Sequence, residues 1–330
     1  MSTLYICEQG SNLSIDSGKF IVKDLQGCVR TIPQETLESV IVFGNISITT
    51  PCVQECLKRG IPISYFSTKG SYFGRLESTS RKSPFRLKKQ VMLSEDSSFC
   101  LEWNKKIISA KVHNQRVVLQ RYKGNKEKVI QTIGNMKRLE SSLLKSESDA
   151  EIRGFEGLTA RLYFEALSEL VTEDFSFKGR SKRPPRDPFN SMLSLGYTLL
   201  MYEIVGEIEN KKMSPYIGFL HRDGENHPTL ASDLMEEWRS VIVDSVVLSL
   251  IRGNEIKKEG FYFSENGVFL DKDTLQIFLL KFENKIRTLN KYLEFDNQMS
   301  FRQTIGHQVR SFVRMIEQEE IGCYQPIRIR

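Results

Sequence analysis

Histidine and tryptophan are scarce in this sequence of 330 residues, with four and two copies, and the six cysteines are scattered. No histidine sits in an HExxH or an adjacent His-Asp arrangement, which argues against zinc peptidases and histidine-rich phosphohydrolases. Cys7, Cys28, Cys52, Cys56, Cys100 and Cys323 lack both zinc-type and disulfide-framework spacing. Cys52 and Cys56 read as small buried residues on one helix face, and a reducing cytoplasm is the expected location. No apolar run is long enough to span a bilayer, so no membrane association is expected. The opening MSTLYICEQG has neither a basic n-region nor an apolar h-region, and secretion is not indicated. A GxSxG elbow, a Walker loop and a Rossmann fingerprint are also missing.

The composition is that of a globular protein, 40% hydrophobic and 27% charged, with a net charge of +6 that is a modest bias towards polyanions. The length allows two domains. Residues 1–77 carry short β-branched and aromatic runs separated by Gly, Asn, Asp or Pro, which predicts an antiparallel sheet or sandwich. One helix, Thr50 to Arg59, interrupts them and ends at Gly60. Residues 78–98 contain STSRKSPFRLKKQ, basic, serine-rich and broken by Pro84, and read as a linker. From 99 to 330 the period becomes helical, with helices expected at Trp103–Lys123, Lys126–Leu144, Ala150–Leu170, Pro188–Glu209, Leu230–Ile251, Lys272–Leu293 and Met299–Gln318. The fold class is therefore α+β: an N-terminal β domain followed by a larger all-α domain.

Three places in the helical part could carry chemistry. The stretch HRDGENHPTLASDLMEEWRSVIVD, from His221 to Asp244, joins a turn-rich loop to a helix patterned by Leu234, Trp238, Val241, Ile242 and Ser245. Asp233 and Glu236 lie one turn apart and can address one point. A loop folded over the first turn would bring His221 there, giving mixed nitrogen and oxygen ligands for Mn²⁺ or Mg²⁺. The same residues also fit a dipole-stabilised acidic first turn beside a surface histidine. Glu156 lies between Gly154 and Gly157 near the start of a buried-looking helix. It is either a further carboxylate ligand or a local partner of Arg153 or Arg161. The Pro-rich segment KGRSKRPPRDPFN offers Lys178, Arg180, Lys182, Arg183 and Arg186, suited to a phosphate track or simply to solvent.

With these residues in view, the sequence resembles the CRISPR-associated protein one family, the integrase and endonuclease of spacer acquisition. RGFEGLTARLYF from Arg153, RPPRDPFNSMLSLGYTLL from Arg183, and the stretch from Gly218-Phe219-Leu220-His221 to DLMEEWRSVIVD carry the resemblance, three motifs in order. It implies Glu156, His221 and Glu236 as metal ligands, Asp233 as a further acidic position assisting the site, and Tyr163 and Asn190 as polar neighbours. It also implies Mg²⁺ or Mn²⁺, double-stranded protospacer and leader-repeat DNA, a homodimer through the β domain, and a complex with CRISPR-associated protein two. The reaction would be attack of a DNA 3′-hydroxyl on a phosphodiester, with nuclease activity when water replaces it. A branched-DNA repair nuclease and a non-catalytic nucleic-acid scaffold are the competing readings. The loop after His221 is more acidic than many relatives would have, and Ser232 stands where an apolar residue or cysteine is common.

Overall fold

Regular alternation of β-branched residues and turns builds two four-stranded sheets at the start of the chain, in a computed structural model that describes residues 2–78, 83–181, 184–221, 224–225, 227–292 and 297–330. The strands are β1 (Ser2–Ile6), β2 (Asn12–Asp16), β3 (Lys19–Lys23), β4 (Val29–Pro33), β5 (Leu37–Phe43) and β6 (Ser47–Ile48), then α1 (Thr50–Arg59), β7 (Ile63–Phe66) and β8 (Tyr72–Leu76). One sheet runs β1-β5-β7-β8 and the other β4-β3-β2-β6. Antiparallel pairing does not hold throughout. β1 with β5, β5 with β7, and β2 with β6 are parallel. For β5 and β7 the reason is α1, which returns the chain from the end of β5 to the start of β7, as a helical crossover does between parallel strands. Gly60 ends α1 at φ 70°, a left-handed conformation that glycine adopts without penalty. Leu13 and Phe20 of one sheet, Val40, Val42 and Ile63 of the other, and Cys52 and Cys56 of α1 share one core.

The chain divides into a unit of Met1–Arg81 with Leu270–Leu279 and a second of Lys82–Phe269 with Leu280–Arg330. The segment 270–279 thus groups with the β-rich unit, which sequence order alone assigns to the helical part. The second unit contains α2 (Pro84–Ser94), α3 (Ser97–Tyr122), α4 (Glu127–Leu143), α5 (Asp149–Ser168), α6 (Pro188–Asn210), α7 (Thr229–Met235) and α8 (Ser245–Arg252). A hairpin of β9 (Phe261–Ser264) and β10 (Gly267–Leu270) follows, then α9 (Lys272–Arg287), two short strands β11 (Leu289–Asn290) and β12 (Met299–Ser300), and α10 (Phe301–Gln318). Among the described residues no helix is long and apolar enough to cross a membrane.

Where a linker was expected, Pro84–Ser94 is helical. Pro84 occupies the first turn, where the missing N–H has no intrahelical partner to lose. Gln90 fixes α2 to the segment ahead of His221: its Nε2 donates to the carbonyls of Ser214 and Ile217 at 2.8 and 2.9 Å, and its Oε1 accepts from Ser214 N–H. α3 is the hub. Asp96 caps it by accepting from the N–H groups of Ser98 and Phe99, worth about 1 kcal/mol. Its fully buried Trp103 meets the rings of Phe219, Phe312 and Tyr324 at 5.4–5.8 Å.

The helix expected over Leu230–Ile251 is not continuous. α7 stops at Met235, a turn covers 236–238, and Arg239–Asp244 winds as a π-helix before α8 resumes. Valine and isoleucine fill five of the seven positions from 241 to 247, so hydrophobic period alone cannot mark the change of pitch there. Such wide turns recur at functional sites because they re-aim side chains.

Candidate active site

The break after α7 separates two carboxylates that an unbroken helix would direct to one point. Asp233, within α7, turns towards the preceding loop. Its Oδ2 accepts from the N–H groups of Phe219 and Leu220 at 2.7 and 3.0 Å, and its Oδ1 accepts from His221 N–H at 3.1 Å. The same Oδ1 lies 2.6 Å from His221 Nδ1. The loop folds over the first turn of α7, where Thr229 Oγ1 donates to Tyr216 O at 2.6 Å and Leu230 N–H to Pro215 O. Gly218 permits the approach: a Cβ there would lie 2.9 Å from Asp233 Oδ2. Asp233 therefore orients the histidine. With Nδ1 bonded to the carboxylate, Nε2 is the ring nitrogen left to bind a ligand.

Glu236, beyond the end of α7, faces the other way and meets Glu156 of α5. One donor atom each from Glu156, His221 and Glu236 lie within 4.8 Å of one another. Two carboxylates and an imidazole at that separation have the donor chemistry for a hard or borderline divalent cation. Arg153 pairs with Asp149 and Arg161 with Glu165, so neither engages Glu156 as the local reading allowed. The partner of Glu156 is Lys111 of α3, whose Nζ lies 2.7 Å from Glu156 Oε1 and 2.8 Å from Glu236 Oε2. Arg239 Nε approaches Glu236 Oε1 at 3.0 Å.

The charges set the protonation states. Burial works against ionised Glu236, but Arg239, Lys111 and His221 outweigh it and hold the carboxyl down at about 2. Burial also opposes the charged form of His221; its bond to Asp233 and the charges of Asp233, Glu236 and Glu156 reverse this, and the net shift is upward.

Behind the carboxylates a second cluster forms. Buried Asp244 accepts from Tyr163 at 2.8 Å and from Tyr197 at 2.5 Å, and burial raises its carboxyl to about 6 against the lowering effect of those bonds and of Arg180 and Arg239. Both guanidiniums lie over the Tyr197 ring, 5.2 and 5.0 Å from its centroid. A cavity of about 660 Å³ is lined by residues of both clusters, with Lys178 and Arg180 on its wall.

The expected residues thus take different positions. Glu156, His221 and Glu236 meet; Asp233 contacts His221, whereas Tyr163 is bonded to Asp244 in the second cluster. Asn190 staples the preceding loop, donating to Gly179 O and Asp187 Oδ2 and accepting from Arg180 at 2.8 Å and Ser181 N–H. Of the five loop cations, Arg180 is drawn into the cavity wall, whereas Lys178 and Arg186 are exposed. Lys182 and Arg183 lie outside the described residues. Arg302 of α10 pairs with Glu203 and Glu283. Sequence reasoning passed over Lys111, Tyr197, Arg239 and Asp244. Lys111 and Asp244 carried a signal, a charge within an apolar helical stretch, since such residues are buried only when paired.

The family model for CRISPR associated protein Cas1 matches residues 4–284. This chain belongs to the Cas1 family. It is 38% identical over 320 residues to the CRISPR-associated endonuclease Cas1 of Mycobacterium tuberculosis, covering 96% of this chain and 94% of that protein. A Thermus thermophilus relative, CRISPR-associated endonuclease Cas1 3, is 32% identical over 336 residues, covering 100% and 98%. In fold, this Cas1-family chain resembles a CAS1 protein from Thermotoga maritima, with a TM-score of 0.82, 21% identity and coverage of 96% and 97%. It also resembles a casposase bound to its integration product, with a TM-score of 0.83, 22% identity and coverage of 97% and 92%.

Proposed function

We infer that this Cas1-family chain is a DNA endonuclease and integrase of CRISPR spacer acquisition, joining a DNA 3′-hydroxyl to a phosphodiester of the repeat. The observation that carries the site assignment is the convergence of Glu156, His221 and Glu236 beside a cavity walled by Arg180, Lys178 and Arg239. These three residues would hold Mg²⁺ or Mn²⁺. A bound ion supplies Lewis-acid polarisation of the phosphodiester and stabilisation of the charge added in the transition state. Asp233 keeps the His221 imidazole in its ligating tautomer. Arg180 and Arg239, aligned on Tyr197, present guanidinium forks suited to phosphate oxygens. Exposed Lys178 and Arg186 would track the backbone, which positions DNA without reading its sequence.

The test is a labelled branched DNA that mimics a half-integrated spacer, incubated with Mn²⁺ or EDTA. Wild type is expected to release the branch and reseal the duplex, and EDTA or Glu156→Ala to abolish both events. Cutting without resealing would replace the integrase reading with that of a branched-DNA nuclease using the same site with water as nucleophile. Across a salt series, Lys178→Ala with Arg186→Ala is expected to reduce the slope of log affinity by about 2; an unchanged slope removes them from the track.

The same reading assigns residues 1–77 to assembly: a homodimer that engages a Cas2 partner and double-stranded protospacer and leader-repeat DNA, in the cytoplasm. Light scattering should return twice the chain mass of 38.1 kDa, and a monomer at micromolar concentration would sink the dimer.

A further inference from the structure

The ligand cage contains a cation of its own. Lys111 Nζ reaches one oxygen of each glutamate, at 2.7 and 2.8 Å, from a side chain that is 9% exposed. The contact to Glu156 is a hydrogen bond, and the contact to the buried Glu236 Oε2 is an ion pair at 2.8 Å. Arg239 lies on the other oxygen of Glu236, and His221 is turned towards Asp233. Lys111 is thus the group that ties Glu156 to Glu236.

We propose that Lys111 is the exchangeable cation of this cage: it holds Glu156 and Glu236 together when no divalent ion is bound, and withdraws from their shared point when one enters. The proposal rests on reading Glu156, His221 and Glu236 as a divalent-ion site. An ion bound through the same two oxygens would meet the ammonium at contact distance, and the repulsion between the two cations makes them compete for that point. The lysine has somewhere to go. It lines the cavity of about 660 Å³, and its four-carbon stem can swing the ammonium there without moving α3. Metal loading then exchanges one cation for another, the carboxylates stay gathered throughout, and the released ammonium faces the space that a DNA phosphate would enter.

The experiment titrates Mn²⁺ into wild type and Lys111→Met by electron paramagnetic resonance, with thermal unfolding of both in EDTA and in saturating Mn²⁺. Removing the competing ammonium is expected to tighten the Mn²⁺ Kd about tenfold. The variant should melt below wild type in EDTA, where two carboxylates face each other without their shared cation, and the deficit should shrink once Mn²⁺ replaces it. Unchanged or weaker binding by the variant overturns the exchange while leaving the metal site standing. A wild type that binds no Mn²⁺ overturns the metal site and the exchange together.

A measurement on wild type keeps the test independent of whether the variant folds. Amine acylation followed by mass spectrometry should label Lys111 several-fold faster in Mn²⁺ than in EDTA. Equal or slower labelling counts against displacement.

Discussion

Replacing Asp233 by alanine is expected to destabilise the protein by about 3–5 kcal/mol and to weaken divalent-ion binding by about 10–100-fold. The carboxylate is fully buried and accepts from three successive N–H groups, those of Phe219, Leu220 and His221, as well as facing the imidazole. Alanine would leave that turn of buried donors without acceptors, each at a cost of about 1–3 kcal/mol before relaxation. Asparagine separates the two effects. With its oxygen towards Phe219 and Leu220, its amide would donate to His221 Nδ1, moving the ring proton to Nε2 and blocking the ligating nitrogen. Asp233→Asn should therefore retain more stability than the alanine variant yet lose comparable Mn²⁺ affinity. Denaturant unfolding and Mn²⁺ titration of both variants read this out, and wild-type affinity in Asp233→Asn would refute the orienting role.

How much of this was legible beforehand depends on what each residue does. Glu156, His221 and Glu236 lie in motifs whose residue types allow a divalent-ion site; a loop folded over a helix start accounts for His221, while Glu156 arrives on α5 through tertiary packing. Asp233 was legible as an acid near the site but not as its organiser, because three-residue spacing implies a shared direction only on an unbroken helix. The turn at 236–238 and the π-wound segment that follows break that assumption, and a run of β-branched residues conceals them. Pro84 misled in the opposite sense: in a basic, serine-rich stretch it reads as a breaker, yet at a first turn it starts α2. The parallel strand pairs were hidden for a similar reason. Residue pattern identifies strands, whereas their direction depends on the connections, such as the crossover through α1 between β5 and β7. Lys111 is the clearest omission, since its partners lie 45 and 125 positions away and only tertiary structure brings them together.

Glu236→Gln should reduce strand transfer and cleavage by at least about 10²–10³-fold, because it removes an anionic ligand while keeping the size of the side chain. It should also change how stability depends on pH. The folded protein holds Glu236 at about 2, against an ordinary 4.5, through Arg239, Lys111 and His221. A depressed carboxyl contributes stability that is fully present above 4.5 and is lost as pH falls through about 2; the size is roughly 3 kcal/mol. In EDTA, wild type should therefore exceed the glutamine variant by a constant margin between about pH 5 and 6, below the titration of His221, and the margin should close between about pH 4.5 and 2. Asp244 acts with the opposite sign. Raised by burial to about 6, it binds protons more tightly in the folded state, so its contribution declines as pH rises from about 4 to 6. Both proteins share that slope, and it cancels in their difference. Thermal unfolding of the pair from pH 6 to 2.5 isolates Glu236; a margin constant across the acid window would mean that its charge is not held by the cations around it, and the electrostatic account of the cage would fail with it.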